Sequence, residues 1–273
     1  MGEAFIVNKN KKIIEDSTAA PSYEFTGDSE WIWDSDVNWR LKMTSSGTLT
    51  FASLGSAKTI DVFCVGAGGG VPRGNGHGGG GGYTITQKSI TVEKNKAYTI
   101  TVGTGSVGAN GGYSSAFGVT AAGGYAASST KGGNGGSGGG GYNWYGWNSG
   151  ANAKGGSDGG DGYCPANSSK IGKGQKSVTG PNGETGTTRE FGETSGTLYA
   201  GGGGAVYTIG ENATYTSQAG GAGGGGKSGS GGSGNTASAP KNGTNGTDGL
   251  GGGGGSSNTK GGSGIVIIRN ARG

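Results

Sequence analysis

Residues 59–70 read TIDVFCVGAGGG, and this junction decides the fold. The run 59–65 is apolar on both faces towards its end, as a strand covered on both sides would be. It passes without a linker into glycine. The chain closes on the reverse order, GGSGIVIIR at residues 261–269, where glycine gives way to the most apolar run in the sequence. A terminal run of this kind rarely stands alone. The expectation is that 265–269 pairs beside 59–65, which holds the two ends of the chain together. The glycine-rich material between them then forms insertions on one side.

Glycine makes up 72 of the 273 residues, against average usage of about 7%. Charged residues are 14% and the AVILMFWYC set is 29%, which is too little apolar material for a conventional core of this size. Glycine costs about 1 kcal/mol per helical position relative to alanine, so long helices are excluded. Five prolines without a continuous Gly-X-Y register exclude collagen. What remains is disorder, or a fold in which glycine is itself the packing element.

The net charge is +4, and the lysines and arginines are scattered apart from Lys9, Lys11 and Lys12. A nucleic-acid binder normally carries a basic stripe, so no nucleic-acid partner is expected. No run approaches the 18 or so apolar residues of a spanning helix, and no membrane insertion is expected. The opening MGEAFIVNKNKK lacks the pattern of a signal peptide. Cys64 reads as a small buried hydrophobe and Cys164 lies in a loop. Two cysteines make no disulfide framework, and their pairing stays open.

Strands are expected at 48–51, 83–86, 89–92 and 98–102, from β-branched content and period-2 alternation, with a polar turn at 93–96. Residues 30–34 and 39–43 alternate as well and carry Trp31, Trp33 and Trp39. The glycine tracts carry a period of three: Gly105, Gly108, Gly111; Gly132, Gly135, Gly138, Gly141; Gly220 to Gly232; Gly243 to Gly255. Three residues per turn is the polyproline II geometry, which has no internal hydrogen bonds. If buried, its N–H and C=O groups need partners, and neighbouring helices of the same kind can supply them where no Cβ intervenes. The expected fold is all-β plus polyglycine II: a small β-sandwich carrying a laterally hydrogen-bonded bundle of glycine-rich helices. Residues 1–43 form an N-terminal attachment segment and 44–273 the glycine-rich domain. Its sandwich strands lie near 48–102 and 265–269, and its bundle mainly at 103–264.

The order TLTF, IDVFCVGAGGG, GGGGGYTITQKSITVEKNKAYTITVGTG, GGYSSAFG, repeated glycine blocks and GGSGIVIIR resembles the glycine-rich domain of bacterial and bacteriophage proteins, including tail fibres and tail-tip proteins. The layout is also similar to the glycine-rich region of the anaplastic lymphoma kinase receptor family. That likeness implies a sandwich of jelly-roll or tumour-necrosis-factor type. The phage resemblance implies a binding or structural virion role, and it brings no catalytic residues.

The residues agree with a non-enzymatic reading. His77 is the single histidine, set in RGNGHGGGG with no carboxylate nearby in sequence, and is read as solvated. The cysteines lack zinc spacing, Asp158 and Asp161 are too few for calcium, and GxGxxG matches mean nothing without a following helix and acid. No cofactor and no metal are expected. Tyr142, Trp144, Tyr145 and Trp147 crowd into six positions between glycine tracts. Loops on a rigid scaffold concentrate binding residues, and Tyr and Trp dominate binding hot spots. They are expected to contact a receptor, with Arg189 and Phe191 of the polar loop 180–196 as a second contact. The competing reading has the aromatics cap the bundle or pack on the sandwich. Phe5, Ile6, Val7, Trp31 and Trp33 are expected to attach the chain to its assembly. The function expected is a phage or prophage tail adhesin in the virion, binding a host surface glycan or protein and joined to other tail proteins. It would act as one copy in a homotrimer or as a monomer on a trimeric shaft. The alternative is a structural spacer or cap without a receptor.

Overall fold

The computed structural model of the chain describes residues 20–35, 38–141, 188–206, 217–230 and 242–272, with the backbone of Lys11 and Lys12. It is all-β, with several antiparallel sheets and almost no helix. One sheet has the order β1 (Lys11–Lys12), β2 (Ser22–Phe25), β5 (Gly47–Ser53), β8 (Ala97–Ile100). The other runs β3 (Ser29–Ser35), β4 (Asn38–Met43), β11 (Ile265–Asn270), β6 (Ile60–Val65), β7 (Thr84–Ile90). A separate hairpin joins β9 (Ser114–Ala116) to β10 (Val119–Ala121).

The pairing of the chain's two apolar runs is as expected. β11 lies antiparallel to β6, from Ile265 opposite Val65 to Asn270 opposite Ile60. On its other side β11 pairs with β4. Residues 22–43, read from the sequence as part of an attachment segment, therefore supply β2, β3 and β4 to the two sheets. The runs 83–86 and 89–92, expected as two strands, are largely one. β7 continues to Ile90 through a register shift opposite Ile60 to Val62, and Ser89 there takes a left-handed φ of 56°. The Asp61 carboxylate accepts the Ser89 N–H at 3.0 Å and so satisfies the bulged backbone.

Side chains from both sheets meet in one core. Tyr23, Phe25, Leu49, Phe51 and Ile100 from the first sheet pack with Trp39, Leu41, Met43, Ile60, Val62, Cys64, Val266 and Ile268 from the second. Because side chains alternate along a strand, the other face of β6 and β11 presents Phe63, Val65, Ile265 and Ile267. These form a second core with Phe191, Tyr199 and Ala200. All residues of both strands are buried. Burial pushes the Cys64 thiol up to about 12, and the cysteine is free. Cys164 lies outside the described residues.

Beyond β6 the chain enters glycine, and backbone replaces side chain as the packing material. Along residues 66–71 the N–H donors fan out to three neighbours in turn. Gly66 and Gly69 donate to Tyr83 and Gly80, Ala67 and Gly70 to Gly112 and Ala109, and Gly68 and Val71 to Gly262 and Thr259. Residues 78–83 repeat this. Gly78 and Gly81 donate to Gly140 and Ser137, Gly79 and Gly82 to Gly254 and Gly251, and Gly80 and Tyr83 to Tyr125 and Ala122. In each pair the acceptor number falls by three as the donor number rises by three, so those neighbours run antiparallel. Others run parallel: Gly133 and Gly136 donate to Gly78 and Gly81. Close approach demands glycine here. A Cβ on Gly68 or Gly82 would overlap the carbonyl of Gly252 or Gly66.

Reversals divide the tracts that carry the three-residue period. Gly223 and Gly224 have φ of 92° and 94°, Gly249 and Gly251 have 76° and 66°, and Gly108 has 63°. Each of these runs goes out along the stack and comes back. The reversals at 222–224 and 248–251 lie against the sheets, where Gly223 meets Tyr199 and Gly251 meets Val65. The opposite end carries residues 72–77, 106–110, 128–131 and 256–258.

Candidate functional site

Residues 188–200 form a strap over the outer face of β6 and β11. It contains a short 3-10 turn, Glu190–Gly192, in which Phe191 adopts a left-handed φ of 53°. The Phe191 ring is 5% exposed. It sits 5.8 Å from the Phe63 ring, and the Arg269 guanidinium lies 4.0 Å above it. The expected receptor contact by Phe191 is therefore corrected, because its side chain closes the second core. Arg189 is half-buried and its Nη1 donates to the Gly196 carbonyl at 3.0 Å, which closes the strap on itself.

Charges pin this strap. Glu190 accepts from Arg40 Nη1 at 2.8 Å and from the Tyr199 hydroxyl at 3.0 Å. Arg269, 3% exposed, pairs with the buried Asp61 at 3.2 Å and with Glu193. Burial, with Glu190 adjacent, drives the Tyr199 phenol well above its ordinary value. The cationic partners of Glu190 and Glu193, Arg40 and Arg269, are far away in sequence, which is why a polar run such as TTREFGETSG reads as a solvated loop until the fold is known.

Trp31 and Trp33 lie half-buried on β3, an edge strand. Trp31 stacks on Tyr23 at 5.2 Å, on Trp39 at 5.3 Å and on Trp33 at 6.1 Å. Both pack against the core and leave part of their surface at the sheet margin. Tyr142, Trp144, Tyr145 and Trp147, and Phe5, Ile6 and Val7, lie outside the described residues. Gly138 to Gly141 are described. Gly140 is at the level of Gly78, so the tract leading to Tyr142 runs towards the end that carries residues 72–77.

That end is where the structure gathers side chains the sequence reading had set aside. His77 is 2% exposed rather than solvated, and burial pulls its pKa down to about 4. The cause is the position of residues 72–77 at the hub of the stack's end. The Asn75 Nδ2 donates to the Ser128 carbonyl at 2.7 Å, and its Oδ1 accepts the His77 N–H at 2.8 Å. Ser257 N–H donates to the Asn75 carbonyl, Val206 N–H to that of Gly76, and Asn258 N–H to that of Pro72. Elsewhere on the stack, Tyr113 and Tyr125 stand 55% and 52% exposed.

Residues 221–228 spell GAGGGGKS, which has the spacing of a phosphate-binding loop. The structure does not use it that way. The N–H groups of Gly225, Gly226 and Ser228 donate to the carbonyls of Gly221, Gly253 and Gln218, and that of Lys227 to Thr244 Oγ1. These four donors are committed within the stack, and the described residues that follow, to 230, are not helical. Among the described residues no group of three or more His, Cys, Asp or Glu could hold a metal ion, and no helix is long and apolar enough to cross a membrane.

Neither the curated proteins nor the solved structures contain a significant match to this chain. The family of glycine-rich domains matches residues 44–271, a span that takes in strands β5 to β11 and every described segment of the stack. The chain belongs to the glycine-rich domain family.

Proposed function

We propose that the chain is a phage or prophage tail-fibre or tail-tip adhesin. In this reading a β-sandwich of jelly-roll type carries a bundle of polyglycine II helices, and the loops at the bundle's far end touch the host cell. A donor pattern that returns to the same neighbour every third residue is what a three-residue-per-turn helix with outward N–H groups would give. The observation that carries the functional reading is the polarity of the stack. Its reversals on one side are packed against the sheets, and its connections on the other side are held in place by cross-bonds yet reach the surface. Rigid presentation of loops is what a recognition protein needs.

The partner in this proposal is a host surface glycan or protein. Residues ahead of β2, with Phe5, Ile6 and Val7, and the β3 margin with Trp31 and Trp33 join the chain to other tail proteins. Catalysis and cofactors play no part in it. Tyr142, Trp144, Tyr145 and Trp147 remain the first candidates for receptor contact, since the tract before them points to the far end.

The test is binding of the purified chain to intact host cells, with electron microscopy of the parent particle. Saturable binding and a distal position support the adhesin. An internal position without cell binding identifies a spacer or cap, the role that the same lateral bonding would serve without a receptor. Replacing Trp144 and Trp147 by Ala should weaken cell binding, and unchanged binding by a folded double variant removes them from the site.

A further inference from the structure

A surface groove runs along residues 72–77 at the end of the glycine stack, with Arg73, Asn75, His77 and Ser129 among its walls. We propose that this groove binds an anionic saccharide, a sugar polymer bearing phosphate or carboxylate groups. The proposal deepens the adhesin reading and rests on it for the biological partner.

Charge sets the class of ligand. The four described loops at this end, 72–77, 106–110, 128–131 and 256–258, contain Arg73 and Lys131 and no Asp or Glu. Arg73 is exposed and makes no ion pair among the described residues. An exposed guanidinium at a rim offers paired donors that match a phosphate or carboxylate. The His77 imidazole is buried and neutral at physiological pH, so it brings no charge to the groove.

Rigidity sets the second half of the argument. The loop is tied to two neighbouring loops: Asn75 to Ser128, and, in 256–258, Gly74 N–H to Ser257 Oγ at 3.1 Å and the Pro72 carbonyl to Asn258 N–H. Its conformation is settled before any ligand arrives, which lowers the ordering cost of binding. The Ser129 hydroxyl and the amide-rich wall suit sugar hydroxyls, and the Pro72 ring offers a small apolar face.

The test uses the full chain and three immobilised polymers of equal length: phosphorylated dextran, carboxymethyl dextran and neutral dextran. The chain should retain one or both charged polymers and not the neutral one, and which of the two is retained assigns phosphate or carboxylate as the anion. Arg73→Gln should weaken retention at least about tenfold, as loss of one charge-assisted contact implies. Arg73→Lys should recover part of it. Lys88→Gln, an equal charge change at an exposed position on β7, should leave retention unaltered. Retention of neutral dextran, retention of none of the polymers, an unaltered Arg73→Gln variant, or an equal loss in Lys88→Gln overturns the site. Cell binding that persists without discrimination among dextrans refutes this groove and leaves the adhesin. Discrimination without cell binding does the reverse.

Discussion

The two halves of the molecule are held together by opposite means. Between the sheets, Trp39, Leu41, Met43, Leu49 and Phe51 are at most 1% exposed, and the core is made of side chains. In the glycine stack there is almost no side chain to bury, and backbone amides of one segment bond to the carbonyls of three others. The first half gains from removing apolar area from water. The second must recover the larger conformational entropy that glycine loses on ordering, and does so through backbone hydrogen bonds between closely packed segments. A side-chain core can relax around a missing atom. A backbone core has no give for an added one.

The sharpest way to break this contrast is to add one methyl group in the stack. Gly82→Ala would place its Cβ on the Gly66 carbonyl, in a region where the obstacle is backbone bonded on both sides. We expect a loss above about 5 kcal/mol, the scale of a whole domain's stability, seen as failure to give a cooperative denaturation transition. The matching deletion in the sheet half, Phe51→Ala, should cost about 3–5 kcal/mol. It should shift the denaturant midpoint while the transition survives.

Acid offers a third probe, since the single histidine lies in the glycine half. Unfolded His77 takes up its proton near 6.5 and folded His77 near 4. Between those values the unfolded state binds more protons, so stability should be full above 6.5 and fall as the pH drops towards 4. The loss reaches about 3 kcal/mol. Denaturation midpoints across that window should show the slope, and His77→Gln should flatten it. The smallest effect belongs to Gly118→Ala in the β9–β10 turn. Nothing lies within 4 Å of the added Cβ, and only the left-handed φ of 79° opposes it. We expect about 1–2 kcal/mol, measured in the same way. A cost near that of Gly82→Ala would mean that space is not what makes glycine necessary in the stack.

The sheets were largely legible in the sequence because their information lies in side chains. Alternation marked 39–43 and 98–102, and the apolar runs at 60–65 and 265–269 named each other as partners. The stack was legible only as a composition and a period. Glycine is one letter whether its φ is negative or, as at Gly223 and Gly249, positive, so the reversals inside the tracts were invisible. The strap failed for a different reason. Glu190 and Glu193 look solvated until Arg40 and Arg269 are brought beside them. His77 misled in the same way, because a histidine among glycines is buried only if those glycines are themselves a core.

The place of β11 at the centre of its sheet sets an order in time. Asp61 waits for Arg269, 208 positions later, and both β4 and β6 keep an unpaired side until β11 arrives. As the ribosome delivers the chain, the first sixty-odd residues emerge early, yet neither their strands nor the glycine segments that follow can close around a finished centre. Folding of such distant pairings is slow, and unpaired strand edges are exposed meanwhile. The glycine tracts, poor in anything sticky, make the long wait tolerable, because they add backbone that water solvates well and little apolar side chain to what is exposed before residue 265.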